Sequence, residues 1–221
     1  MKDPRSTTPH LEDYYSRRAR EYEKVYDKPE RQLELEWLRG RVPRLFAGRK
    51  VLEVACGTGY WTQHIARAAA KVYACDINDA VLEIAREKPI APGRAEFFKA
   101  DAVSLEGVPP GCDAAFAGFW WSHVKKSGVA QFVSRLSTRL APGSIVGILD
   151  NQFAAGSSSP ITRTDAEGNT YQMRRLSNGE EFEVLKNFPK PEELRAAVLP
   201  VAREAHLETL QYYWLLVFTL K

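Results

Sequence analysis

Glu53, the pair Gly57 and Gly59, Asp76 and Asp101 stand at intervals that suit the recognition of a nucleoside carrying an amine and no phosphates. Gly57-Thr58-Gly59 directly follows the apolar run Val51-Leu52-Glu53-Val54-Ala55-Cys56. A loop there must let its backbone approach a ligand, and glycine permits the approach. A dinucleotide fingerprint needs a third glycine at position 62, where this chain has Thr62, and no Gly-Lys-Ser/Thr follows to make a nucleotide-triphosphate loop. Glu53, within the same apolar run, would repel a pyrophosphate but suits a cationic α-amino group. Asp76 lies nineteen residues after Gly57, the spacing at which a carboxylate accepts hydrogen bonds from ribose hydroxyls. Asp101 closes a third apolar segment, where its carboxylate can meet the exocyclic amine of adenine.

Such residues need strand ends and tight turns to hold them. Residues 50–56, 71–76, 95–101, 112–118 and 144–150 read as short strands, and 61–70, 80–87 and 129–140 as helices between them. The alternation implies βαβ units and a mostly parallel sheet covered on both faces. Upstream, Tyr14, Arg18, Tyr22 and Tyr26 recur at steps of four, and Leu33, Trp37 and Leu38 form a second stripe after Pro29 breaks the first. Residues 1–10, polar with Pro4 and Pro9, are predicted to be disordered. Downstream, alternating segments 171–176 and 181–185 flank Ser177-Asn178-Gly179, a strong hairpin signal. A helix over 190–198 and strands over 205–210 and 213–220 complete the chain. The predicted fold is α/β: a doubly wound, seven-stranded, mostly parallel sheet. An N-terminal helical cap spans 1–46 and the core 47–221, with a β-hairpin insertion over 151–186 acting as a lid.

Composition narrows the class. A chain of 221 residues with 44% apolar and 27% charged residues can bury an ordinary globular core. The apolar stretch from Leu210 to Leu220 is too short to span a bilayer, and no apolar signal-peptide core follows the N-terminus. A net charge of +3, with Arg17, Arg18 and Arg20 diluted by neighbouring acids, reads as a solvated helix face rather than a nucleic-acid footprint. Three unevenly spaced cysteines, without a CxxC pair, argue for reduced thiols in a cytoplasm and against a metal cage.

Four segments, in order, carry a resemblance. Val51-Leu-Glu-Val-Ala-Cys-Gly-Thr-Gly59, Tyr73-Ala-Cys-Asp76-Ile77, Lys99-Ala-Asp101-Ala102 and Leu140-Ala-Pro-Gly143 resemble the successive motifs of class I (Rossmann-like) S-adenosylmethionine-dependent methyltransferases of the small-molecule type. Ala55 departs from the glycine more usual there. The tyrosines of Asp13-Tyr14-Tyr15 and Glu21-Tyr22-Glu23 resemble the family's cap helices. The resemblance implies an enzyme that binds S-adenosylmethionine and releases S-adenosylhomocysteine. Gly57, Thr58 and Gly59 would pass close to the methionine portion, and Glu53 would orient its amine. Asp76 would hold the ribose with Ile77 beside the adenine, and Asp101 and the Ala102 backbone would bind the adenine. Phe119 would also contact the cofactor, and Tyr14 or Tyr22 would close over its carboxylate or sulfonium. Simple packing of the cap remains the alternative for the tyrosines.

The acceptor is less legible. The region beyond strand four reads Gly118-Phe119-Trp120-Trp121-Ser122-His123, without the Asn/Asp-Pro-Pro-Tyr/Phe that resembling enzymes carry for base amines. Trp120 and Trp121 suit an acceptor wall, with one expected in the pocket and one in the core. His123 is a candidate general base, or a helix-start histidine that only contacts cofactor or cap. Asn151, Tyr171 and Arg174 are further acceptor-binding candidates. If Arg163, Tyr171, Arg174 and Arg175 point inward they favour a carboxylate or phosphate. The preferred reading is a solvated hairpin with its arginines paired to Glu180, Glu181 and Glu183. The expected activity is methyl transfer to an O or N atom of a small molecule, without metal, nucleic acid or membrane, by a monomer or homodimer. An RNA or protein methyltransferase and a non-catalytic cofactor-binding module are the alternatives.

Overall fold

The computed structural model describes residues 9–221, with side chains from Glu12 onward. Most of the segment expected to be disordered lies outside the described residues, and Pro9 and His10 already belong to α1 (Pro9–Arg18). The cap then tightens into 3-10 geometry over Ala19–Tyr26 and again at Pro29–Arg31, before α2 (Gln32–Leu45). Pro29 has no N–H to continue the earlier helix, so the chain turns there.

The core follows as β1 (Lys50–Val54), α3 (Tyr60–Ile65), β2 (Lys71–Asp76), α4 (Asp79–Arg86), β3 (Ala95–Lys99), β4 (Ala114–Gly118), α5 (Val129–Thr138) and β5 (Ile145–Asn151). α3 is shorter than the predicted 61–70. The Ala68 carbonyl accepts from Gly48 N and Ala70 N donates to Arg49 O, so the alanine run is drawn into the entry of β2. The predicted hairpin insertion is a separate three-stranded antiparallel sheet: β6 (Arg163–Thr164), β7 (Thr170–Arg175) and β8 (Glu181–Leu185). Its two-residue first strand has no period to read. α6 (Pro191–Val198), β9 (Ala202–Thr209) and β10 (Tyr213–Leu220) complete the chain.

The main sheet has seven strands in the order β3-β2-β1-β4-β5-β10-β9. β1 to β5 pair in parallel, and β10 runs antiparallel between β5 and β9. The order reverses between β1 and β4, which opens a crevice at the carboxyl ends of the strands. Two apolar clusters cover the two faces. One joins Leu52, Val54, Val146 and Ile148 to α5 and α6, and the other joins Val51, Phe116 and Leu149 to α2 and α3. The strand period of two therefore sends Glu53, alternating with Leu52 and Val54, toward the α3 face. Among the described residues, no helix is long and apolar enough to cross a membrane.

Candidate active site

The crevice at the ends of β1, β2 and β4 holds a cleft of about 710 Å³, open mouth included, whose walls include Ala55, Gly57, Asp76, Ile77, Val81, Ala102 and Phe119. Asp76 is fixed from both sides: Gly57 N donates to its Oδ2 at 2.9 Å and Asn78 N to its Oδ1 at 3.0 Å. Desolvation raises its carboxyl above the usual range, against the pull of those backbone donors. Each oxygen keeps a lone pair for a hydroxyl of a ligand. Ala55 has a φ of +53°, which explains why glycine is more usual at this place in the motif. Gly59, at φ +76°, lies so close to α4 that a Cβ would sit 3.0 Å from the Ala85 Cβ.

Several expected cofactor residues stand behind this wall rather than on it. Glu53 is buried, and its Oε2 has no hydrogen-bond partner among the described residues. Burial pushes its carboxyl up to about 8, opposed only by the neighbouring Thr62 hydroxyl. The Thr58 hydroxyl donates to Glu23 Oε1 of the cap at 2.6 Å. Asp101 accepts from Val103 N at 2.7 Å, and so shapes the turn that sets Ala102 against the cleft. Gly59 acts through the loop's close approach to α4.

A second chamber, about 720 Å³ with its mouth, adjoins the first, and Tyr15, Tyr22, Phe119 and His123 border both. Phe119 is held at a φ of +60° while its N–H donates to Leu149 O at 2.7 Å. The Leu185 carbonyl lies 2.7 Å from His123 Nδ1, which must therefore carry the proton. Nε2 then accepts from the Tyr15 hydroxyl at 2.7 Å. Burial and the neighbouring Lys186 ammonium push the His123 pKa down, so the ring is neutral at physiological pH. Tyr14 lines this second chamber rather than the cofactor cleft, as do Asn151 and Arg174.

The tryptophans divide. Trp120 lines the cofactor cleft and not the second chamber, whereas Trp121 packs edge-on against Phe132 and Trp214, with centroids 6.5 and 6.0 Å away. The acceptor-binding expectation for Trp121 is thus corrected: its ring fills the core under α5. Tyr171 is corrected too. Its hydroxyl donates to Asp165 Oδ2 at 3.0 Å, and Arg163 covers its ring at 3.7 Å on the outer face of the lid. Tyr171 and Arg174 are three apart in one strand, so they face opposite ways. The expectation that the lid arginines pair outward holds for Arg163, bidentate to Glu183, and fails for Arg174, which turns inward beside the buried Gln172.

The reading of Arg18 as part of a solvated helix face is corrected, since it is half-buried at the second chamber. Tyr15, Lys28, Arg31 and Lys186, to which sequence reasoning assigned no role, border the same chamber. Lys186 follows β8, and its ammonium lies 3.2 Å from Asp150 Oδ1 and 2.6 Å from Ser122 Oγ. The seven-residue step from Tyr15 to Tyr22 was the available signal for one shared helical face.

The cleft fits the cofactor implied by the motifs. It pairs a doubly anchored carboxylate at the end of β2 with an apolar wall of Ile77, Val81 and Ala102. Comparison with known proteins agrees. A family described as a methyltransferase domain matches residues 51–143. The demethylmenaquinone methyltransferase of Clavibacter sepedonicus is 34% identical over 78 residues, 35% of this chain and 32% of that protein. The enzyme of the same name from Staphylococcus aureus strain JH9 is 29% identical over 106 residues, 47% of this chain and 43% of that protein. The chain thus aligns with less than half the length of these curated relatives. Over nearly the whole chain, the structure of DhpI in complex with SAH superposes with a TM-score of 0.72 at 26% identity, covering 95% of this chain and 94% of that one. A DhpI complex with SAM and HEP gives 0.76 at 23% identity, with 98% and 99% covered, and is a likeness of fold. The sheet around residues 51–143, with the cleft it carries, is a class I S-adenosylmethionine-dependent methyltransferase domain.

Proposed function

We propose that the protein transfers a methyl group from S-adenosylmethionine to an O or N atom of a small-molecule acceptor. One observation carries the reading: the cofactor cleft meets a second chamber, covered by cap and lid, across Tyr15, Tyr22, Phe119 and His123. A covered chamber of this size suits a small molecule, not an RNA helix or a folded protein. The cofactor would supply an electrophilic methyl on a sulfonium. Asp76 would accept from the ribose hydroxyls, Ile77 and Ala102 would pack on the adenine, and Glu53 would face the α-amino group through the loop.

The chain's main contribution to chemistry is alignment and exclusion of water. His123 has one nitrogen on the Leu185 carbonyl and the other on Tyr15. In this reading it is a positioning residue that fixes Tyr15 at the junction, rather than a free base. The Tyr15 oxygen retains a lone pair to orient an acceptor O–H or N–H. Three buried free thiols support a reducing, cytoplasmic setting.

The test is calorimetric titration with S-adenosylhomocysteine, followed by transfer of labelled methyl over a small-molecule panel, with tRNA and total protein as comparators. Wild type should bind in the micromolar range. Asp76→Ala, which removes charge-assisted hydrogen bonds, should weaken binding roughly a hundredfold while its circular dichroism stays native. Equal binding by the folded variant would remove Asp76 from the site, and label in RNA or protein alone would overturn the small-molecule reading.

A further inference from the structure

The second chamber holds more positive charge than its own structure neutralises. Arg18 enters from α1, Lys28 and Arg31 from the turns before α2, and Arg174 from β7 of the lid. Their hydrogen bonds go to neutral groups. Arg18 donates to the Tyr14 hydroxyl at 2.5 Å, and Lys28 to the Ser157 carbonyl. Arg31 donates to Ser157 Oγ at 2.8 Å and Asn151 Oδ1 at 3.1 Å. Arg174 donates to Ser159 Oγ at 2.6 Å and Gln172 Oε1 at 2.7 Å.

Among the described residues, no ion pair includes any of these four. Glu30, exposed, accepts from Ser157 Oγ at 2.6 Å and lies near Lys28 and Arg31 without forming an ion pair with either. The fifth cation at the chamber, Lys186, already has Asp150. The arrangement inverts what desolvation favours. Exposed Arg17 and Arg163 have carboxylates at 2.8 and 2.7 Å, while Arg31, only 6% exposed, has none. Buried cations without counter-charge are costly unless a bound anion completes them.

We infer that the chamber takes a small acceptor bearing an oxyanion group, a carboxylate or a phosphate-type group, held among Arg18, Lys28, Arg31 and Arg174. The acceptor's reacting end then points past Tyr15 and Phe119 into the cofactor cleft. The inference rests on the methyltransferase reading above. Because the cofactor's own carboxylate is a competing anion, the test is made on protein saturated with S-adenosylhomocysteine.

Inorganic phosphate and sodium acetate are titrated separately into that complex at constant ionic strength, with binding followed calorimetrically. Saturable binding of at least one anion is expected, and the tighter of the two identifies the group. Arg174→Met should weaken it roughly tenfold or more, and Arg175→Met, on the outer face of the same strand, should leave it unchanged. If Arg174→Met does not fold, Lys28→Met provides the same comparison. No saturable binding of either anion, or wild-type affinity in the folded chamber variant, overturns the inference alone. Failure to bind S-adenosylhomocysteine at all would instead overturn the methyltransferase reading, and this one with it.

Discussion

Glu53 is buried on the α3 side of the sheet, and its carboxyl stays protonated up to a pH of about 8. In the unfolded chain a glutamate releases its proton near 4.5. Between those two values the unfolded state binds fewer protons than the folded one, so stability falls as pH rises and levels off above the folded value. At pH 7 the deficit is on the order of 3 kcal/mol, at about 1.36 kcal/mol per pKa unit. The melting temperature of the ligand-free protein should therefore drop from pH 5 to pH 8. Glu53→Gln, neutral and nearly isosteric, should melt higher at pH 7 and lose most of that slope; parallel profiles for the two proteins would exclude this account. Ala55 tells a related story on the backbone. Its positive φ costs about 1 kcal/mol that glycine would avoid, and the cleft-lining loop retains it nonetheless.

At the scale of elements, Lys186 joins three parts of the fold. It follows β8 of the lid, contacts Asp150 at the end of β5, and donates to Ser122 in the turn after β4. Ser122 N and Oγ, and Asn151 N, also donate to Asp150, at 2.8, 2.9 and 2.7 Å. Removing the ammonium leaves a fully buried carboxylate without its counter-ion. Lys186→Met should cost roughly 3 kcal/mol in urea unfolding and speed tryptic cleavage within the lid; unchanged stability and cleavage would mean that the apolar contacts of Val184 hold the lid without it. The strands of the main sheet were legible because short apolar runs end in glycines and acids at regular intervals, as Val51–Gly59 and Val72–Asp76 do. Part of the cleft was legible for the same reason: Gly57, Asp76, Ile77 and Ala102 line it from adjacent strand ends, while Glu53, Thr58, Gly59 and Asp101 of the same segments do not line it. The anion chamber was not. Arg18, Lys28, Arg31, Arg174 and Lys186 meet only because cap and lid fold over one opening, and no local spacing records a contact across more than a hundred residues. Tyr171 and Arg174 were grouped by proximity in sequence, although the strand period alone separates them.

The whole molecule is a sheet whose open end is roofed by two pieces far apart in the sequence, one before β1 and one between β5 and α6. Cap and lid touch through the Tyr14–Phe182 ring pair, 5.5 Å between centroids, and the Arg17–Glu180 ion pair at 2.8 Å. The cap meets the core through Tyr26 stacked on Tyr60 at 3.6 Å, and through Glu23, which accepts from Thr58 Oγ1 at 2.6 Å and Lys88 Nζ at 2.5 Å. Asn78 adds a donor to the Glu12 carbonyl at 3.0 Å. These polar ties tether the cap beside the glycine loop, and on the proposed reading their opening sets how fast a cofactor leaves the cleft. The cap is thus held both by apolar packing, through Tyr14 and Tyr26, and by charge-assisted hydrogen bonds, and the second kind exchanges for water at less cost when a cover opens. Glu23→Ala, which removes both bonds, should accelerate S-adenosylhomocysteine release at least roughly tenfold. Raising ionic strength should speed release from wild type by weakening the Glu23–Lys88 pair, and should speed the variant less, since only the exposed Arg17–Glu180 pair is left to screen. Stopped-flow displacement reads both rates. A variant that releases product at the wild-type rate would show that the cap opens about the Tyr26–Tyr60 stack, with Glu23 a bystander to the exit.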